Sequence, residues 1–419
     1  MSWLEQTFNT ALILALLLSL SFSTPRVDTL NDRVHILAAD SSFDFLTWTF
    51  DAVRIKLGQG ALGTPGYYSA FDQHQIVVQY LRLVRVIEFT QNKINLIYSD
   101  PAIKDPERAS ADLRQQLSEY KRQYDYLAPN AEAVLEQQVT QILSENDLTI
   151  GGQPIPWVSY HVTPLPLNLI LSSRSKIEQL TSYQLRADLT VEQQIALEDT
   201  TAKKLEVSSL VVPIGGLATY PTMIMRTTAL DWTANTIAHE WIHLYLGQRP
   251  LGMSYEKTPE LRTMNETTAS IAGDEIGRMV LKRYYPELVA QAPLTLVAHP
   301  LGKTSADEPP FDYRAEMHET RIQTDELLAE GKIDEAEAYM EERRKLFWDH
   351  GYPIRKLNQA FFAFYGAYAD VPSGPAGKDP VGPAVRALRQ QSSSLTDFLE
   401  RISQMNSFEQ LQQAVGDIH

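Results

Sequence analysis

The chain's one concentrated chemical motif is His239-Glu240-Trp241-Ile242-His243. On a helix, residues four apart share a face, so both imidazoles reach one metal ion. Glu240 stands about 100° further round the helix. That is poorly placed for a third ligand, but close enough to take a proton from metal-bound water. Ile237, Trp241, Ile242 and Leu244 supply apolar surface to bury such a helix. Asp231 or Thr233 is positioned to cap its start, and Gly247 suits its end. The bland alternative is a pair of histidines on a partly exposed helix.

The downstream sequence argues for a metal. Thr258-Pro259-Glu260 is a strong helix start, with Thr as cap and Pro in the first turn. The helix it opens runs through Asn265-Glu266-Thr267-Thr268-Ala269-Ser270-Ile271-Ala272-Gly273 to about Tyr284, before Pro286. Glu266 follows His243 by 23 residues. That interval allows a turn, a loop and a second helix that packs back and presents Glu266 as third ligand. Ala269, Gly273 and Gly277 form a strip of small residues that would let the two helices approach closely. The chain contains no cysteine, so a metal must be held by His, Asp or Glu. Two imidazoles and one carboxylate leave a fourth position for water, as catalytic zinc requires.

The pair His239-Glu240-x-x-His243 and Asn265-Glu266-x-x-Ala269-Ser270-Ile271-x-Gly273 resembles the gluzincin metallopeptidases, the thermolysin-like and aminopeptidase-like group. Residue by residue, the resemblance implies His239, His243 and Glu266 as Zn2+ ligands and Glu240 as general base. Thermolysin-like enzymes carry Asp four residues after the ligand Glu, where it orients a ligand histidine. Ser270 stands there in this chain, so that partner must come from Ser270, Asp274 or elsewhere. A weaker resemblance extends through Glu335-Ala336-Glu337-x-Tyr339-Met340-Glu341-x-Arg343-Arg344, Arg355-Lys356-Leu357-Asn358-Gln359-Ala360 and Tyr365. It is to the C-terminal part of a bacterial family described, by motif, as aminopeptidases.

Two further groups are candidates for stabilising the oxyanion of a tetrahedral intermediate. Glu316, His318, Glu319 and Arg321 cluster on one expected helix, from which His318 or Arg321 would serve. The aromatic run at 361–368 offers Tyr365 or Tyr368, and Tyr365 and His318 are carried forward as catalytic candidates. Gly215-Gly216 precedes the metal helix and joins two expected strands, as a hairpin turn or as a border of the cleft. An aminopeptidase needs an acidic anchor for the substrate amine, for which Glu260, Asp274 and Glu275 qualify equally. His35, His74, His161, His299, His350 and His419 show no ligand spacing.

The rest of the chain must position these groups. Its 419 residues, 44% hydrophobic and 21% charged, describe a globular protein with room for two or three domains. A net charge of −15 without a basic block excludes a nucleic-acid partner. The uncharged stretch before Arg26 predicts a signal peptide or membrane anchor, and with it an exported or membrane-anchored location in the cell envelope. Apolar residues at three- and four-residue steps predict helices over 43–57, ending at Gly58, and over 70–98. A more polar helix over 108–144 carries Leu113, Leu117, Tyr120 and Tyr124 on one side. Together these form a helical hairpin or small bundle. Residues 155–172 and 208–226 read as strands punctuated by prolines, with a helix over 190–207 between them.

The expectation is an α+β protein. Residues 1–28 form the signal or anchor, 29–150 a helical region, 151–290 a zincin-like catalytic domain with a small mixed sheet and active-site helices, and 291–419 a helical C-terminal subdomain. The function this implies is zinc-dependent hydrolysis of a peptide or protein substrate. The alternative is a membrane-tethered assembly protein that keeps zinc for structure alone.

Overall fold

A computed structural model describes residues 29–62, 64–99, 103–289, 311–368, 375, 377 and 379–416. The expected signal or anchor in residues 1–28 lies outside the described residues. Among those described, no helix is long and apolar enough to cross a membrane.

The architecture is α+β. Helices α1 (Leu30–Ala38), α2 (Phe45–Leu62), α3 (Ala70–Ser99) and α4 (Ala111–Glu145) come first. Strands β1 (Tyr160–Val162), β2 (Leu167–Ser172) and β3 (Gln179–Leu185), helix α5 (Val191–Leu205), and strands β4 (Ser208–Pro213), β5 (Gly216–Leu217) and β6 (Thr222–Ile224) follow. Then come α6 (Leu230–Gly247), α7 (Pro259–Tyr284), α8 (Tyr313–Ala329), α9 (Ile333–Asp349), α10 (Gln359–Tyr365), α11 (Val381–Gln391), α12 (Leu395–Ser403) and α13 (Phe408–Val415).

The expected hairpin forms from α3 and α4. Val77, Tyr80, Val84, Ile87 and Ile94, at helical spacing along α3, are all buried, and Leu113, Tyr120 and Tyr124 pack with Leu117 against Ile87 and Ile94. Helix α2 departs from expectation by running through Gly58 to Leu62. A mid-helix glycine costs only about 1 kcal/mol relative to alanine, and tertiary contacts outweigh that. Lys56, two residues earlier, reaches Glu132 at 2.7 Å and Glu136 at 2.9 Å on α4.

The strands form two three-stranded sheets. One is antiparallel in the order β3-β2-β4, and the other is mixed, β1-β6-β5, with β1 parallel to β6. Alternation divides the antiparallel sheet cleanly. Leu169, Leu171, Leu185 and Val211 pack toward α1 and α5, while Ile170, Leu210 and Val212 meet the aromatic residues of α10. Strand β3 is absent from the sequence-based expectation. Gly215 is not the turn of a hairpin between paired strands, because β4 belongs to one sheet and β5 to the other.

The largest core joins α3, α4, the two metal-motif helices and the C-terminal helices α11 and α12. At its centre α6 and α7 cross in antiparallel fashion. A Cβ placed on Gly273 would lie 3.0 Å from the His239 backbone, and one on Gly277 would lie 2.8 Å from Asn235 N. The small-residue strip thus fulfils its expected role of letting the backbones touch.

Candidate metal centre

Helix α6 begins at Leu230, ahead of both expected caps, Asp231 and Thr233, and no side chain caps it. Thr233 instead donates to the Ala229 carbonyl at 3.0 Å. The helix ends at Gly247 as expected. Ile237, Ala238, Trp241 and Ile242 are buried, which turns His239 and His243 toward α7. Helix α7 starts as predicted, with Pro259 first and the Thr258 hydroxyl accepting from Leu261 N, and it runs to Tyr284.

This crossing brings the three expected ligands together. The Nε2 atoms of His239 and His243 lie 3.0 Å apart, and Glu266 Oε2 lies 3.7 Å from the first and 3.4 Å from the second. Zinc bonds of about 2.1 Å in a tetrahedron place ligand atoms about 3.4 Å apart. The triangle matches that spacing. Glu266 Oε2 is also fully buried and accepts no well-formed hydrogen bond, having only the two imidazole nitrogens near it, so a cation shared with them would complete its partners. Both observations fit a bound divalent metal. Among the described residues no other group of three His, Asp or Glu side chains converges in this way.

The surroundings aim the ligand atoms. His243 Nδ1 meets Asn265 Oδ1 at 2.7 Å, which leaves Nε2 free to face the triangle. For His243 the orienting partner, expected at Ser270, Asp274 or elsewhere, is therefore Asn265, the residue before Glu266. Asp274 is instead bonded to Asn235 and Arg278. The Tyr255 hydroxyl donates a short hydrogen bond to Glu266 Oε1, and buried Arg262 donates to that hydroxyl at 3.2 Å and to the Ala363 carbonyl at 2.6 Å. Tyr255 thus occupies one carboxylate oxygen and leaves the other facing the two imidazoles. Burial opposes the charge of Glu266, but His243 and His239 overcome it and hold its pKa well below the ordinary carboxylate range.

Glu240 lines the same cleft without joining the triangle. Burial pushes its pKa up, the two imidazoles pull against that, and Glu266 adds to the rise. Its carboxylate lies under β5, where a Cβ on Gly216 would stand 2.4 Å from Oε1. A side chain at position 216 would therefore displace the Glu240 carboxylate, because the strand backbone passes directly over it.

No protein-family model, no curated protein and no solved structure matches this chain.

The other candidates separate. Tyr365 packs against Phe361 and Phe364, with ring centroids at 4.6 and 5.0 Å, and does not line the cleft. The tyrosine that does is Tyr368, stacked at 6.4 Å on His239. The two are three residues apart, but α10 ends at Tyr365 and the turn that follows directs Tyr368 to the metal side. His318 sits half-buried on α8, also away from the cleft. Its neighbour Glu316 pairs with Arg343, and Arg321 pairs with Asp325. Of the three acidic anchors considered, Glu275 is held by two hydrogen bonds from Arg389 at 2.8 Å and Asp274 is engaged as above. Glu260 lines a second cavity, which shares Gln179, Tyr255, Glu256 and Arg262 with the metal cleft. Tyr255 and Arg262 carry no ligand spacing, and sequence reasoning passed them over.

Proposed function

We propose that this protein is a zinc-dependent peptide hydrolase of gluzincin type. His239, His243 and Glu266 would hold the ion and Glu240 would act as general base. The observation that carries this reading is the triangle of two imidazole nitrogens and one buried carboxylate oxygen that accepts no hydrogen bond, spaced 3.0 to 3.7 Å. A second carboxylate, that of Glu240, faces the same cleft from outside that triangle. The mixed sheet β1-β6-β5, lying beside the antiparallel pair α6 and α7, supports a zincin-like arrangement of the catalytic part.

Zinc at such a site polarises a carbonyl and lowers the pKa of water to about 7. The chain's own residues do the rest. Asn265 and Tyr255 fix the orientation of His243 and Glu266. Glu240, its proton affinity raised by burial, takes a proton from the attacking water and delivers it to the leaving amine. The Tyr368 hydroxyl is the cleft donor best placed to meet a developing oxyanion. The apolar stretch before Arg26 supports an envelope location for this activity, as an exported or anchored enzyme.

The test compares three proteins by zinc content and by cleavage of an unbiased peptide library. Wild type should carry close to one zinc and cleave, and Glu266→Ala should lose the metal. Glu240→Gln should keep the metal but lose activity by about 10²–10⁴-fold. Zinc-loaded wild type that cleaves nothing would leave a structural metal site as the better account.

A further inference from the structure

Helix α2 hides little of its apolar surface. Leu46, Phe50 and Leu57 are 75, 76 and 68% exposed, and Val53 between them is exposed as well. Their spacing of four, three and four residues sets all four within about 60° of one another round the helix. On the opposite side Ala52 is buried, and Trp48 Nε1 donates to Thr163 Oγ1 at 3.2 Å. The Lys56 bridges to Glu132 and Glu136 hold the same helix to α4. These attachments fix α2 with its stripe turned outward. Four such side chains in a row expose on the order of 400 Å², the level at which a patch on a monomer marks an interaction site.

Size and charge decide what covers it. Two copies paired along the stripe would bury about 800 Å² in all, short of the roughly 1,200–2,000 Å² of a stable interface. Residues 11–22 are apolar apart from Ser19 and Ser21. A segment apolar on every side needs cover on every side, and one narrow stripe supplies it on a single side. A bilayer covers both. The run is also shorter than the roughly 20 apolar residues that span a membrane, and a short apolar anchor holds reversibly unless a second contact joins it. Helix α2 is close at hand, the second helix after Thr29, where the described residues begin. Its exposed charges, Asp51 and Arg54, cancel, and the chain as a whole carries −15. Such a face has no attraction for anionic lipid, so the surface it fits is neutral.

We propose that Leu46, Phe50, Val53 and Leu57 insert shallowly into a zwitterionic bilayer, with α2 lying along its surface as a second membrane contact beside the N-terminal stretch. Arg54, at the edge of the stripe, keeps its guanidinium among the headgroups while its stem lies against lipid. The proposal goes beyond the hydrolase reading, since neither zinc nor cleavage enters it. It rests on the envelope location in one respect, that a bilayer is within reach of α2.

Flotation of the full chain with phosphatidylcholine vesicles, at low and high salt, measures this contact. Phe50→Ser combined with Leu57→Ser should lower the partition coefficient at least about tenfold, as two large apolar side chains are lost from the lipid. Tyr126→Ser, which removes an equally exposed aromatic on α4, should leave it unchanged. Salt should change neither value, because no charge attraction is screened. Both proteins should melt with wild type, since all three positions are exposed. The chain has no cysteine, so Val53→Cys can carry a single polarity-sensitive fluorophore, whose emission should move to shorter wavelength when vesicles are added. Absence of partitioning in wild type would overturn both this proposal and an anchored location. Undiminished partitioning of the double variant would overturn the stripe alone and leave the N-terminal stretch as sole anchor. A label at Val53 already in apolar surroundings without vesicles would overturn it in favour of the N-terminal stretch in a monomer, or of a second copy in a dimer. Partitioning that requires anionic lipid and falls with salt would overturn it as well.

Discussion

Gly216→Ala offers the sharpest probe of Glu240, because it leaves every proposed metal ligand untouched. The added Cβ would lie 2.4 Å from Glu240 Oε1 and 2.9 Å from both Cδ and Cγ. Nonbonded carbon and oxygen atoms settle at roughly 3.5 Å, so the carboxylate must retreat by about 1 Å. The atoms in the way belong to the far half of a flexible side chain, so the displacement should fall on Glu240 and not on the strand. Misplacing a reacting group by about 1 Å costs on the order of 10² in rate. The overpacking itself should cost at most about 1–3 kcal/mol. The expected result is full zinc occupancy, a modest fall in melting temperature, and kcat lowered about a hundredfold with KM little changed. Single-turnover cleavage of a peptide found in the library screen, with metal content measured on the same sample, checks all three quantities. Retention of kcat within threefold at full zinc occupancy would refute the placement of Glu240 as base beneath β5.

Three further outcomes follow from named contacts. Tyr255→Phe removes the donor to Glu266 Oε1 and should weaken zinc binding by about 10–100-fold in a chelator competition while the fold persists. Gly277→Ala sets a Cβ 2.8 Å from the Asn235 backbone, where no side chain can yield. It should cost on the order of 1–3 kcal/mol in a urea titration and loosen zinc as α6 and α7 separate. Burial disfavours the charge of Glu132, but Lys56 and His161 outweigh it and hold its pKa down at about 2, against 4.5 for the ordinary group. A depressed folded-state pKa stabilises fully above about pH 4.5, and that contribution, about 3 kcal/mol, disappears as pH falls toward 2. Glu136, whose pKa burial raises despite Lys56, opposes part of it. Urea midpoints at pH 7, 5 and 3 should therefore fall on acidification, and Lys56→Met should destabilise more at pH 7 than at pH 3. A Lys56→Met deficit that is the same at both pH values would remove this network from the acid response.

The triangle of His239, His243 and Glu266 was legible because local periodicity places its residues on two recognisable helices. Two histidines four apart on a helix share a face whatever surrounds them, and Thr258-Pro259 starts the second helix by chemistry confined to one turn. Gly273 and Gly277 announced the close crossing, since a helix has little other use for two glycines on one face. The α3–α4 hairpin was readable for the same reason. Strand β3 was not, and its composition explains why. Its cleft face carries Gln179, Ser182 and Gln184 where a core-facing strand would carry apolar residues, so the alternation that marks a strand is weakened.

What only the tertiary structure decided are contacts between segments with no common period. Tyr255 reaches Glu266, and Arg262 reaches Tyr255, because the residues before α7 fold back over its first turns. Tyr368 rather than Tyr365 faces His239 because α10 stops between them. Gly216 lies over Glu240 because the chain leaves one sheet for another just before it. Gln179 faces the cleft through a one-residue bulge, which no residue type in the strand signals. Each depends on where a second element stops, turns or slips by one residue. Those choices minimise the free energy of the whole packed core, so they leave no mark in the local sequence.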